Sequence, residues 1–133
     1  MRDPHVRVSQ ELRFRPWVFQ TFFGEYPAEM KVFQLGNTIF IGTPCDYSGE
    51  LMPDVLKTAQ NQHLNLIVTS FDGSYVGYIT EDSRYDLNSY ETRVMNWYGP
   101  QNGQYFQEII NSILTKNAPV VKQPDALQNQ TEE

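Results

Sequence analysis

A chain of 133 residues with 40% hydrophobic content has the size of one domain and enough apolar mass for a modest core. Its 10 basic and 16 acidic residues leave a net charge of −6; no broad cationic face results, and neither nucleic acid nor anionic membrane is an expected partner. Cys45 is the single cysteine and cannot close an internal disulfide, while His5 and His63 are too few for a histidine cage.

The first ten residues are charged and carry no apolar run, so they do not read as a signal peptide, and no stretch has the length needed to cross a bilayer. Residues Met1 to Glu11, with Val6 and Val8 alternating, suggest a short edge strand. The aromatic run Leu12, Phe14, Trp17, Val18, Phe19, Phe22 and Phe23, broken by Pro16, reads as a strand or irregular layer on the core. Gly24 and Pro27 then mark a loop.

Glu29 to Leu35 and Thr38 to Ile41 form a hairpin around Gly36-Asn37, because a primed turn needs a positive φ at its first position. The second strand is nearly all apolar and is expected to lie buried between layers. It delivers the loop Thr43 to Gly49. Leu51, Met52, Val55, Leu56 and Ala59 recur at helical spacing and predict a helix from Leu51 to Gln62, with Ser48 as cap and Pro53 in the first turn. Asn65 to Phe71 reads as a second buried strand. The order strand, helix, strand predicts an α/β fold with a mixed sheet and a crossover, which brings the loops at Asp46 and Asp72 together at the carboxyl ends of the strands.

Phe71 to Pro100 concentrates Tyr75, Tyr78, Tyr85, Tyr90 and Tyr98 among carboxylates and glycines. Two readings stay open: a site wall of phenols, or the half-buried aromatics that sheets ordinarily carry. Pro100 and the stripe Tyr105, Phe106, Ile109, Ile110, Ile113 and Leu114 predict an amphipathic helix from Pro100 to Lys116. Residues 1–116 are thus expected to form a single α/β domain, and 117–133 an extended or disordered tail.

No GxSxG elbow is present and no motif sets a histidine beside Cys45, which reads as a buried, inert thiol. His63, at the end of a helix, suits capping better than catalysis. Glu81, Asp82 and Asp86 lack the spacing of a calcium loop and read as a solvated face. Asp46 differs, since it follows a buried strand, precedes a helix start, and would be held near the tyrosine stretch by the predicted crossover. A carboxylate and a phenol there can offer two oxygens to a cation, fewer than the three or so protein ligands of a catalytic zinc site.

From Ile39 to Leu114 the chain resembles the later part of the neutral ceramidase family, zinc amidases that hydrolyse the amide of ceramide. Pro44-Cys45-Asp46-Tyr47 is similar to the family's PGEF. Tyr78-Ile79-Thr80, Tyr85, Tyr90-Glu91 and Tyr98-Gly99-Pro100 track its YIT, Y, YE and YGP at similar spacings. The resemblance implies that Asp46 stands for a zinc-binding glutamate, Tyr78 for a zinc-binding tyrosine, and Tyr90 for a catalytic tyrosine that hydrogen-bonds the scissile amide oxygen.

Asp46 is one methylene shorter than the family's glutamate, Cys45 replaces a glycine, and one residue is added between Glu91 and Tyr98. The family's two zinc-binding histidines and its serine-bearing loop belong to sequence upstream of the part resembled. The resemblance therefore implies the carboxyl-terminal portion of a ceramidase-like catalytic domain, with that missing amino-terminal part as partner and a ceramide-like amide as the parent's substrate. Alone, it is expected to be inactive and to hold no zinc stably. The alternative is a non-catalytic binding or assembly module that retains the fold. If the partner half is removed, the apolar face it covered would be left bare and drive formation of a homo-oligomer.

Overall fold

The computed structural model describes residue 13 and residues 15–23 and 28–118. The expected amino-terminal edge strand, the loop at Gly24 and Pro27, and the tail from residue 119 onward lie outside the described residues. From Pro16 to Phe23 the aromatic run is a helix, not the expected strand or irregular layer. Pro16 opens helix α1 (Pro16–Phe23), because its fixed φ suits a first helical turn, and Thr21 Oγ1 donates back to the Trp17 carbonyl at 2.8 Å.

The hairpin forms as expected. Strands β1 (Lys31–Leu35) and β2 (Thr38–Gly42) pair antiparallel with Leu35 opposite Thr38, and Gly36 takes φ +61 at the turn. Strand β3 (Asp46–Tyr47) comes next. Ser48 Oγ then accepts from the Glu50 N–H at 3.4 Å and starts a 3-10 turn at Gly49–Leu51 that runs into helix α2 (Met52–Asn61).

A Schellman motif ends α2. His63 is left-handed at φ 56, its N–H donates to Gln60, and the Leu64 N–H donates to Ala59. Strand β4 (Asn65–Thr69) returns parallel to β2, completing the crossover in a mixed sheet of order β1-β2-β4. Beyond it come β5 (Tyr78–Ile79), parallel to β3, then α3 (Tyr90–Arg93) and α4 (Asn102–Lys116).

Helix α4 begins two residues later than the proline suggests. Gln101 is left-handed at φ 72, and its N–H is held by the Asp82 carboxylate at 2.6 Å. Within the predicted stripe, Phe106, Ile110 and Leu114 are buried. They meet Val55 and Ala59 of α2 and Ile39 and Ile41 of β2, with Leu66 and Val68 packed against them. Each fully buried aliphatic side chain contributes about 1.5–3 kcal/mol of transfer free energy, so this layer holds the fold together.

Only that face of the sheet is covered among the described residues. Strand β4 is therefore not a buried strand but an edge strand that alternates between exposed and half-buried positions. Strand β2 buries Ile39 and Ile41 but leaves Phe40 half-buried. Phe33, Phe40 and Ile67 are register partners across the open face, where Phe33 and Leu35 are well exposed.

Candidate functional site

The segment 43–48 runs between two neighbours. On one side the Thr43 N–H and Oγ1 donate to the Thr69 carbonyl, and the Tyr47 N–H donates to Ser70 Oγ at 3.2 Å. On the other, the Val76 N–H donates to Pro44, the Asp46 N–H to Gly77 and the Ser48 N–H to Ile79. The polypeptide that leaves β2 thus joins the main sheet to the small β3–β5 sheet.

Pairing of β3 with β5 sets Asp46 directly opposite Tyr78. Because it is an in-register parallel pair, the two side chains leave the same face and meet. The Asp46 carboxylate acting on the Tyr78 hydroxyl, helped by desolvation, pushes the phenol up to about 12. Gly77 makes the register reachable. It has φ +82, and a Cβ there would lie 2.2 Å from the Met95 carbonyl oxygen, the same oxygen that accepts the Tyr78 N–H at 2.9 Å.

Tyr90 opens α3 and sits edge-on to Tyr78, with centroids 6.0 Å apart and planes at 82°. Its short helix is pinned by buried Thr92, whose Oγ1 donates to the Leu87 carbonyl at 2.6 Å. Tyr75 joins them. Burial raises its phenol, with further contributions from the charge of Asp46 and from Tyr90. Asp46, Tyr75, Tyr78 and Tyr90 therefore form one cluster, at the amino ends of β3 and β5 and past the carboxyl end of β2.

Two tyrosines of the stretch go elsewhere. Tyr85 is buried under the Arg13 guanidinium, 5.7 Å from its ring centroid, and Tyr98 packs against the core. Glu81, Asp82 and Asp86 are exposed. Cys45 is fully buried, and burial pushes its thiol up to about 12, so it stays a thiol and is no nucleophile.

Several supporting residues escaped the sequence reading. Buried Asn96 donates from Nδ2 to Thr80 Oγ1 at 3.2 Å and accepts at Oδ1 from the Gly99 N–H at 3.2 Å. Asn102 Nδ2 donates to the Gly99 carbonyl at 2.8 Å. The end of β5 is thereby tied to the Tyr98-Gly99-Pro100 turn. Asparagines flanking a Gly-Pro pair are the signal that could have marked them, since their amides close turns.

As a metal site the cluster is incomplete. Asp46 and Tyr78 offer two oxygens from register-paired positions, whereas zinc sites generally take three or four protein ligands. No group of three His, Cys, Asp or Glu able to hold a metal occurs among the described residues. The residues present fit half of a zinc site. Without a metal, the cluster can hold a polar group between a carboxylate acceptor and phenol donors.

No sequence-family model matches the chain, and no curated protein matches it. Solved structures do. The crystal structure of neutral ceramidase from Pseudomonas aeruginosa is similar over 73% of this chain, with a TM-score of 0.58 and 17% identity. A structure of ceramidase complexed with C2 is similar over 73% as well, with a TM-score of 0.57 and 18% identity. This chain spans only 16% of the length of each. It shares its fold with a segment of ceramidase.

Proposed function

We propose that this chain supplies one half of the active site of a ceramidase-like, zinc-dependent amide hydrolase. One observation carries the reading: Asp46 and Tyr78 lie opposite each other in register, with the carboxylate raising the phenol, on a fold shared with neutral ceramidase. When bound, zinc would polarise the amide carbonyl and activate water. Asp46 and Tyr78 would hold it through their oxygens. Tyr90, edge-on to Tyr78, would donate its hydroxyl to the amide oxygen as negative charge gathers there, a role of the oxyanion-hole type. The histidine ligands and the serine-bearing loop would come from the missing amino-terminal part, so the chain alone would not turn over a ceramide-like amide.

Zinc titration by calorimetry tests this reading on wild type, Asp46→Ala and Tyr78→Phe. Weak binding to a single site, at least tenfold weaker in both variants, is the expected result. Equal heats in all three proteins would remove Asp46 and Tyr78 from any metal site.

A second reading, an assembly module, is favoured by the open sheet face. Phe33 and Leu35 are 62% and 68% exposed there, and bare apolar surface of this kind promotes self-association. A homo-oligomer in light scattering, dispersed by Phe33→Ser with Leu35→Ser, is its expected signature. A monomer at high concentration would remove it.

A further inference from the structure

Phe71 stands out next to the cluster. Its φ is +61, a conformation that a bulky residue adopts at a cost of about 1–3 kcal/mol and that persists only where the surroundings impose it. Here they do. The Phe71 N–H donates to the Cys45 carbonyl at 3.2 Å and the next N–H, from Asp72, to the Thr43 carbonyl at 3.0 Å. The strain brings no burial in return, because the ring is 59% exposed.

What the strained backbone does achieve is placement. The Phe71 ring lies on Tyr75 with centroids 5.3 Å apart and planes at 14°. Tyr75 in turn is backed edge-on by Trp97 at 5.6 Å and 85°, and the indole Nε1–H is fixed by the Val94 carbonyl at 3.1 Å. A two-ring platform on a buried tryptophan is thus held rigid. It adjoins the metal half-site, since Phe71 is bonded to the residue before Asp46 and Tyr75 feels the Asp46 charge.

We propose that Phe71 and Tyr75 form a subsite for the acyl chain of a neutral amide substrate, laid along the rings so that its amide reaches Asp46, Tyr78 and Tyr90. The proposal rests on the amide-hydrolase reading. It commits to an alkyl chain because the platform presents aromatic carbon, with the Tyr75 hydroxyl as its one polar atom. Strain is kept at Phe71 because glycine would relax the backbone but leave no ring.

The test separates those two properties. In a Trp17→Phe background, Trp97 is the remaining tryptophan and reports on Tyr75. N-octanoylethanolamide, below its micelle concentration, is titrated against Trp97 fluorescence beside N-acetylethanolamide, which has the same head group without the chain. Saturable binding of the octanoyl amide only is expected. Phe71→Gly and Phe71→Asn, which both accept a positive φ, are expected to weaken it at least fivefold while Tm stays level or rises.

Lower Tm with unchanged affinity would make Phe71 a structural residue. Equal binding of the two amides would assign the response to the head group, and no saturable response would leave no subsite. Binding to phosphatidylcholine vesicles alone, with the same dependence on Phe71, would make the rings a membrane contact. Each of these outcomes overturns the proposal. Zinc affinity is expected to be the same in wild type and Phe71→Gly; a fall on that substitution also overturns it, because Phe71 would then act by shaping the Asp46 loop. Zinc binding absent from every protein, with octanoyl binding intact, would sink the hydrolase reading and with it the amide assignment.

Discussion

The layered core and the tyrosine wall are held by different forces. In the core, Ile39, Ile41, Val55, Phe106, Ile110 and Leu114 are almost fully buried, and order comes from close-packed apolar volume. In the wall, between Phe71 and Pro100, few side chains are buried, and the conformation rests on backbone bonds to 43–48 and on the amides of Asn96 and Asn102. The first arrangement tolerates no lost volume. The second tolerates no lost hydrogen bond, and it is the one that sets the position of Asp46, Tyr78 and Tyr90.

Substitutions can break that contrast. The largest expected effect is from Ile110→Ala, which empties a fully buried position on α4 and should cost about 2–5 kcal/mol in urea unfolding. It should leave the relative zinc affinities of the remaining folded fraction unchanged. Next comes Gly77→Ala. Strain of about 1–3 kcal/mol at a φ of +82 is joined by a clash with the Met95 carbonyl, so β5 must shift away from β3. Here the site should suffer more than the fold: stability falls by a few kcal/mol, and zinc heat disappears.

Asn96→Ala sharpens the distinction further. It strands the Gly99 N–H and frees Thr80, and a buried donor left without a partner costs about 1–3 kcal/mol. Hydrogen exchange should rise at residues 78–80 and 96–102 while α2 and α4 keep their protection relative to the global opening. A uniform rise would show that core and wall open together. The smallest effect is expected at Tyr47, whose buried hydroxyl has no hydrogen-bond partner among the described residues. Tyr47→Phe removes a polar atom that folding leaves unsatisfied, so stability should hold or rise by about 1 kcal/mol. A loss of that size would mean that the hydroxyl is satisfied by water.

The contrast also explains which features the sequence disclosed. Helix spacing, the Gly36-Asn37 turn, the Ser48 cap and the crossover were legible, because each depends on residues a few positions apart. The first aromatic run was misread because Pro16 breaks a strand as readily as it begins a helix. Pro100 misled in the opposite direction, since the left-handed Gln101 behind it is imposed by the Asp82 carboxylate, a contact that no local pattern announces.

The burial of β2 and β4 was overstated for a similar reason. An apolar strand reads as buried on both faces, yet whether the second face is covered depends on what else packs there. Among the described residues, nothing covers Phe33 or Ile67 fully.

For the site, the sequence by itself determined the chemical inventory: one carboxylate after an apolar strand, a run of phenols, an inert cysteine, and a resemblance that singled out Asp46, Tyr78 and Tyr90. Only the tertiary structure decided that these three meet and that Tyr75 joins them while Tyr85 and Tyr98 do not. The register of β3 on β5 makes that choice, and it is enforced by hydrogen bonds from 43–48 to 76–79 and by a glycine narrow enough to pass Met95. Local sequence sets which groups a segment carries. Long-range backbone pairing sets which of them share a face, because a strand turns its side chains over at every residue.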